Sequence, residues 1–359
     1  MKKKSALAIA LALAGFSTFA SADDVQLYGR VHQAVEKTTT TQTPGSSPII
    51  TDVSSRLGVR GSEDLGGGLK VVFAYEFGVD TDAGNNGASN MNTRHAYVGF
   101  KGKFGTLVVG SQDGDNDSQA PLYTQAVDAI GSVNNNGGAL IVVGVPNSNT
   151  LDSPIERVQR VGNSVGYAGQ FGSYSISARH SLQGTNDAGN NTRNGTKENG
   201  IRVSEVALTW KSGPLTLGAG AGYVDRQEIL KPDAFIAFTV PKSTYQVVAS
   251  YDFGFVKVSG LAAQNRLYGK NLNGNDINRD YALSALVPIT YNQGVLVNVT
   301  DSERNQDFAT EQLREYQVSY YYDFSKRTRV YTGLVLGKNE MGGSTDYERK
   351  FAAGLRHNF

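Results

Sequence analysis

The sequence predicts an all-β protein, a 16-stranded antiparallel β-barrel that crosses a membrane. Three observations predict it: apolar and polar residues alternate along most of the chain, short turns alternate with long polar loops, and residues 347–359 form an amphipathic strand that ends on Phe359. Alternation with a period of two is typical of strands whose two faces meet different surroundings. A barrel pairs its last strand with its first, so an ordered terminal strand fits closure.

The N-terminus predicts export across an inner membrane. Residues 2–4 are three lysines, residues 6–16 are an apolar run, and Ala20-Ser21-Ala22 has the small residues of a cleavage site. The apolar run is too short to span about 30 Å of hydrocarbon. We therefore expect residues 1–22 to be a signal peptide and residues 23–359 to form the barrel.

Sixteen segments carry the strand pattern. In the first, Val25, Leu27 and Val31 share one face, and Arg30 and His32 share the other. An even number of strands suits a single-chain bacterial barrel. We place the strands near residues 25–36, 52–60, 69–80, 93–101, 105–112, 157–167, 174–182, 201–211, 215–225, 244–253, 255–266, 279–287, 294–301, 313–323, 329–337 and 347–359. Residues 234–240 are an alternative strand.

The connections alternate in length. Short turns such as Ser212-Gly213-Pro214 should face the periplasm, and long loops rich in Asn, Gly, Thr and Asp should face water outside. Aromatic residues beside the short turns predict an interfacial girdle, although aromatic residues also suit strands in general. These residues are Trp210, Tyr251, Phe253, Tyr322 and Phe324.

One connection, residues 113–156, is much longer than the others. A loop of this length in a compact domain is functional or disordered, and its apolar piece at residues 139–145 argues against a purely solvated loop. We expect it to fold back into the barrel and narrow it. Its acidic residues are Asp113, Asp115, Asp117 and Asp128, with Glu156 at its end.

The overall charge points to no nucleic-acid partner. The formal net charge is +1 with 34 basic and 33 acidic residues, so the chain lacks the basic excess that phosphate backbones attract. Absence of cysteine is compatible with an oxidising periplasm.

A series of short motifs follows along the chain, at residues 27–30 (Leu-Tyr-Gly-Arg), 55–58, 61–70, 96–100 (Ala-Tyr-Val-Gly-Phe), 104–107, 163–165, 325–328 and 354–359. Together these segments resemble the general porins of Gram-negative bacteria, especially the β-proteobacterial and neisserial branch. The resemblance implies an outer-membrane homotrimer whose barrels each hold a water-filled pore for passive passage of small hydrophilic solutes and ions. It also implies contact with lipopolysaccharide, insertion by the assembly machinery with Phe359 as a signal, and no catalysis or cofactor.

The resemblance also implies a constriction between basic wall residues and acidic loop residues. Arg30, Arg56 and Arg160 match the basic side, and alternation separately places them on the polar faces of their strands. Asp113, Asp115, Asp117 and Asp128 of the long loop match the acidic side. Ser111 and Gly166 stand where the family often has basic residues, so an anion preference is not assumed.

Two motifs suggest other chemistry. Residues 162–166 match the G-x-S-x-G nucleophile pattern around Ser164, but that motif needs a strand, a sharp turn and a helix, and here it lies within a strand. The spacing of Asp113, Asp115 and Asp117 imitates an EF-hand, yet the sixth and twelfth positions, Ser118 and Thr124, do not fit that loop. We expect no metal site.

Three other functions stay open on the same barrel. A substrate-specific channel, for a sugar or an organic acid, would show a saturable current and an aromatic track along the lumen. An outer-membrane hydrolase would need a Ser/His pair near one rim. Loops that bind host surfaces would add a role to any of these.

Overall fold

The computed structural model describes residues 24–41, 44–81, 91–112, 121–130, 161–182, 201–226, 241–267, 276–305 and 310–359. Within these ranges the strands are β1 (Asp24–Thr40), β2 (Ile49–Asp52), β3 (Arg56–Gly66), β4 (Leu69–Val79), β5 (Met91–Gly102), β6 (Gly105–Gln112), β7 (Val161–Phe171), β8 (Tyr174–Ser181), β9 (Ile201–Ser212), β10 (Leu215–Arg226), β11 (Pro241–Asp252), β12 (Lys257–Leu267), β13 (Ile277–Thr290), β14 (Gln293–Asn305), β15 (Thr310–Asp323), β16 (Thr328–Met341) and β17 (Ser344–Asn358). Helix α1 (Pro121–Ile130) lies between β6 and β7. In this part of the chain no helix is both long and apolar enough to cross a membrane. The predicted signal peptide and residues 234–240 lie outside the described residues.

The strands form one closed antiparallel sheet. From β3 onwards each strand pairs with the next, and β17 returns to pair with β1. Strands β2 and β3 pair with two successive stretches of β1, so they are two pieces of one interrupted strand. Counted in this way, the described chain forms a barrel wall of sixteen strands, as predicted.

The interruption between β2 and β3 reverses the faces of the strand. Ser54 has a positive φ of 63°, and the hydroxyl of Ser55 accepts a hydrogen bond of 2.9 Å from the backbone N–H of His32. Val53 consequently packs against the buried cluster around Tyr331, whereas Leu57 is exposed on the outside. Simple alternation places Val53 and Leu57 on one face, and that expectation is wrong because the break adds residues to the strand.

The barrel closes along a long register between its two terminal strands. Residues 30–40 of β1 pair with residues 348–358 of β17. Beyond the last strand residue, Gly29 and Phe359 exchange backbone hydrogen bonds of 3.0 and 3.1 Å. Leu355 points outward and Arg356 is buried on the inner face, as the terminal pattern predicts.

The outer surface and the rims follow the expected polarity. Outward side chains such as Val31, Val98 and Leu283 are about half exposed, as suits a wall that faces lipid. Two-residue turns join several strand pairs at one rim, and the turn after β9 needs the positive φ of Gly213, 54°. Aromatic rings gather at this rim, with ring centroids 4.5 Å apart for Tyr251 and Phe253.

Candidate pore lining

Within the described chain, five arginines line one side of the barrel interior. They are Arg30, Arg56, Arg94, Arg329 and Arg356, which lie on β1, β3, β5, β16 and β17, and all are buried on the inner face. Arg30 is opposite Arg56 in the sheet register, and Arg329 is opposite Arg356. Guanidinium groups stay charged when they crowd together. We call this set the arginine wall.

Glu76 on β4 is a buried acidic residue that contacts two members of the arginine wall. Its Oε1 accepts a hydrogen bond of 2.7 Å from Nε of Arg94 and lies 3.5 Å from Nη1 of Arg56. All three side chains are buried, with exposed fractions of 3%, 3% and 8% for Glu76, Arg94 and Arg56. One carboxylate thus holds two guanidiniums and cancels part of their charge.

Arg94 was not predicted from the sequence, and a β-bulge is the reason. Glu76 pairs with His95 and the next residue, Phe77, pairs with Thr93, so Arg94 is an extra residue in β5. Alternation from His95 would turn Arg94 towards lipid, but the bulge places both side chains on the buried inner face. A bulge of this kind leaves no clear mark in a single sequence.

Arg329 forms a two-point ion pair with Asp323. Its Nε and Nη2 donate hydrogen bonds of 2.6 and 2.7 Å to the two carboxylate oxygens of Asp323. Its guanidinium also lies over the ring of Tyr321, 4.0 Å from the centroid. This two-point geometry fixes the guanidinium near the turn between β15 and β16.

The opposite side of the barrel has a different character. Strand β10 is eight strands away from β1 around the sixteen-stranded ring, so the two face each other across the lumen. Near β10, Arg179 and Glu205 form a buried ion pair of 2.7 Å. Arg179 also lies opposite Gly166 in the sheet register, beside the position that lacks a basic side chain. On this side, the guanidinium of Arg179 and the carboxylate of Glu205 are thus paired within the wall.

Helix α1 lies against this second side, inside the barrel. Ala126 is fully buried in a cluster with Val248, Leu261, Ala263 and Ala282, which are inner-face residues of β11, β12 and β13. The helix therefore packs on an apolar patch of the inner face. The described part of the long loop thus lies inside the barrel, as expected.

The structure describes only some of the residues predicted for the constriction. Arg30 and Arg56 lie on the inner face in the arginine wall. Asp128 belongs to helix α1, but its side chain lies outside the described part. Arg160, Asp113, Asp115 and Asp117 are outside the described residues, as is the apolar segment at 139–145.

A second apolar patch lies on the inner face beside the arginine wall. Its buried members are Ala34, Leu296, Tyr331, Val335 and Ala352. The Tyr331 hydroxyl makes a short hydrogen bond with Nε2 of the buried His32, and the two rings meet edge to face. These apolar side chains differ in character from the neighbouring arginine wall.

The family is decided by a match along nearly the whole chain. The family model described as "Gram-negative porin" matches residues 6–342. This chain belongs to the Gram-negative porin family. It is an outer-membrane channel protein, and its strand pattern, closed barrel and polar arginine wall agree with that membership.

Curated porins of two bacterial groups are similar to this porin in sequence. The major outer membrane protein P.IB of Neisseria gonorrhoeae is 27% identical over 383 residues, which covers 99% of this chain and 100% of that protein. Outer membrane porin protein 32 of Delftia acidovorans is 25% identical over 308 residues, covering 84% and 80%.

Solved porin structures share the fold of this porin. The anion-selective porin from Comamonas acidovorans superposes with a TM-score of 0.71 at 22% identity and covers 94% of this chain and 99% of that one. The trimer form of OmpT from Vibrio cholerae gives 0.66 at 16% identity, with coverage of 94% and 99%. At these identities the likeness concerns the fold.

Proposed function

We propose that this porin is a general diffusion channel through which small hydrophilic solutes and ions pass passively. The observation that carries the proposal is the pairing of the arginine wall, centred on β1, with a helix-bearing wall around β10 on the other side of a closed barrel. A polar lumen of limited width with charges on one side filters solutes by size and charge, with no bound substrate.

The channel prefers anions. Five guanidiniums line the arginine wall, against the carboxylates of Glu76 and Asp323 that pair with some of them. The excess is positive, so the lumen on this side attracts anions. The anion preference should be weaker than in a porin with basic residues at positions 111 and 166, because this chain has Ser111 and Gly166.

The constriction lies between the arginine wall and the long loop. Arg30, Arg56 and Arg160 form its basic side in this proposal. The acidic side comes from the loop residues Asp113, Asp115, Asp117 and Asp128. A transverse field between them would orient dipolar solutes as they pass. The position of α1 inside the barrel supports an inward loop.

The working form is a homotrimer in the outer membrane. The trimer form of OmpT, which shares this fold, supports the assembly. The chain is exported by its signal peptide, residues 1–22, and enters the membrane with the help of the assembly machinery and Phe359. Its outward apolar face contacts lipid and lipopolysaccharide.

The channel performs no catalysis. The relatives it matches are channels, and the serine of the G-x-S-x-G motif is poorly placed for a nucleophile. Ser164 is buried on the inner face of β7, and its hydroxyl donates a hydrogen bond of 2.9 Å to the carbonyl of Gly110. A hydrolase on a barrel rim would need this hydroxyl next to a histidine base.

The test is single-channel recording of the purified protein in planar bilayers, with the reversal potential measured in a salt gradient. We expect conductance steps in groups of three, a current that rises linearly with salt and solute, and a reversal potential of the anion-selective sign. A current that one solute saturates and blocks would replace this proposal with the substrate-specific channel. No conductance would contradict both.

A further inference from the structure

Three alternate glycines leave a gap in the inner face of β10. Gly218, Gly220 and Gly222 occupy successive inward positions, while the outward neighbours Leu217 and Tyr223 are 43% and 46% exposed. Successive inward positions are roughly 6.7 Å apart along a strand. The missing side chains therefore create a shallow trough across the height of helix α1, which we call the glycine trough.

Leu122 of helix α1 fills the upper part of the glycine trough. A β-carbon added at Gly220 would lie 2.4 Å from Cδ2 of Leu122, and one added at Gly222 would lie 2.8 Å from Cδ1. Leu122 is only 1% exposed. A side chain on β10 would push the helix away from the wall, because real carbon atoms do not approach so closely.

Gln125 fills the lower part of the trough and fixes the helix by hydrogen bonds. A β-carbon at Gly218 would lie 2.6 Å from its Nε2. That nitrogen donates to the carbonyl of Leu208 at 3.0 Å and to the hydroxyl of Thr209 at 3.1 Å. Leu122, Gln125 and Ala126 share one face of the helix by their spacing.

Gln246 on β11 also binds helix α1 by hydrogen bonds. Its Nε2 donates a hydrogen bond of 2.9 Å to Oε1 of Gln125 and one of 3.0 Å to the backbone carbonyl of Leu122. Its side chain is 2% exposed, so these bonds form away from water. Buried hydrogen bonds of this kind fix the position of the helix, since any shift of the helix would leave buried polar groups unpaired.

We infer that the glycine trough sets the width of the pore, with Gly218, Gly220 and Gly222 as positioning residues for helix α1. The trough lets the helix sit one side-chain layer closer to the wall than it could on an ordinary strand. Every added layer on β10 moves the helix towards the arginine wall and narrows the passage. The inference rests on the proposed function of the protein as an open channel.

The first test compares the same substitution at two glycines, one that faces helix α1 and one that does not. Gly220→Val places a bulky side chain in the trough, and Gly260→Val is the control, because a β-carbon at Gly260 meets only a carbonyl oxygen 3.8 Å away. We expect Gly220→Val to lower the single-channel conductance on the order of twofold and to add current noise, as a narrower polar pore passes fewer hydrated ions. Gly260→Val should match the wild type.

A rescue variant separates positioning from general damage. Leu122→Ala in the Gly220→Val background removes the side chain that clashes, so it should return the conductance towards the wild-type value. A folded Gly220→Val channel with unchanged conductance and noise overturns the inference while the wild-type recordings still support the proposed function. A wild-type protein without conductance refutes the proposed function instead.

The second test applies even if Gly220→Val fails to fold. The chain has no cysteine, so Leu122→Cys with Gly220→Cys gives a clean pair at the contact. We expect oxidation to link the pair within one chain, detected by mass spectrometry, with equal conductance for the linked and reduced forms. Failure of the folded channel to form this link, or a change in conductance upon linking, overturns the inference.

Discussion

The ring of Phe359 occupies the space where Gly29 lacks a side chain. A β-carbon built on Gly29 would lie 2.3 Å from Cζ of that ring and 2.7 Å from the carbonyl oxygen of Arg56. The same two residues exchange the backbone hydrogen bonds that follow the β1–β17 register. The terminal aromatic residue and an early glycine therefore fit each other at the seam of the barrel.

We predict that Gly29→Val hinders closure of the seam. The new side chain meets both the Phe359 ring and a fixed backbone carbonyl, so it should cost about 1–3 kcal/mol of barrel stability, as overpacked sites do. The measurement is the denaturant midpoint of the refolded barrel, followed by the shift between folded and heated bands on a gel. Gly260→Val is the control, and equal midpoints for the two variants would contradict the prediction.

Removal of Phe359 should impair assembly into the outer membrane. The deletion takes away the ring over Gly29 and the last pair of backbone hydrogen bonds at the seam. We expect fewer folded barrels in outer-membrane fractions, measured by the heat-shifted band. Normal amounts of heat-resistant assemblies would show that Phe359 has no such role.

We predict opposite shifts in ion selectivity when the two charges of one pair are removed. Glu76→Gln frees positive charge in the arginine wall and should raise the anion preference, whereas Arg56→Ala should lower it. Each change is worth about twofold for each ion and about fourfold in the anion-to-cation permeability ratio, since a unit charge acting across roughly 10 Å of water contributes about 0.4 kcal/mol of opposite sign to the two ions. Reversal potentials in a salt gradient measure the shifts.

Arg314→Gln is the matched control for these two variants. Arg314 faces outward from β15 and pairs with Asp301 on the outside of the wall, where both side chains are partly exposed. Its loss should leave the reversal potential unchanged. If Glu76→Gln and Arg56→Ala shifted the reversal potential in the same direction, the charge of the arginine wall would not determine ion selectivity.

The anion preference should weaken as salt rises. Mobile ions screen fixed charges over about 10 Å at 0.1 M ionic strength and about 3 Å at 1 M. The arginine wall acts across water in the lumen, so its influence shrinks over that range. Reversal potentials at a fixed concentration ratio should approach neutrality at high salt. Constant selectivity would indicate direct binding of the ion instead.

The buried pair Arg179–Glu205 should be costly to break from one side. Glu205→Ala removes the carboxylate 2.7 Å from a guanidinium that is 2% exposed, which should cost about 3–5 kcal/mol. The double replacement Arg179→Met with Glu205→Leu should cost less, because it removes both buried charges together. Urea unfolding midpoints of the barrel would measure both variants.

An exposed pair provides the comparison for that result. Arg279 and Glu303 lie 3.1 Å apart with both side chains well exposed, so Glu303→Ala should cost no more than about 1 kcal/mol. If Glu205→Ala were no more destabilising than the double variant or than Glu303→Ala, the buried pair would have no structural role.

The strands were predictable because the sequence of each strand shows the alternation of apolar and polar residues. Alternation marks a strand wherever one face meets lipid, and the short turns divide the segments, so all sixteen wall strands were placed. Positions beside irregularities were not predictable in this way. Val53 and Arg94 change face because the chain breaks at Ser54 and bulges at β5, and neither event has a composition signal.

The helix in the long loop left a weaker signal that could have been read. Pro121 stands at the first helical position, and Leu122, Gln125 and Ala126 follow at helical spacing. In the sequence, Gly218 and its alternate neighbours indicate only close packing along a strand. What they pack against is a helix from about a hundred residues earlier, and only the three-dimensional arrangement joins the two segments.

The long register between β1 and β17 has a consequence for how the protein is made. Strand β1 keeps one edge open until β17, the last strand in the sequence, has been synthesised, so the barrel cannot close on an incomplete chain. Only a polypeptide that includes β17 can therefore close the barrel. A product cut short by even a single strand would expose unpaired backbone groups to lipid and stay available to proteases.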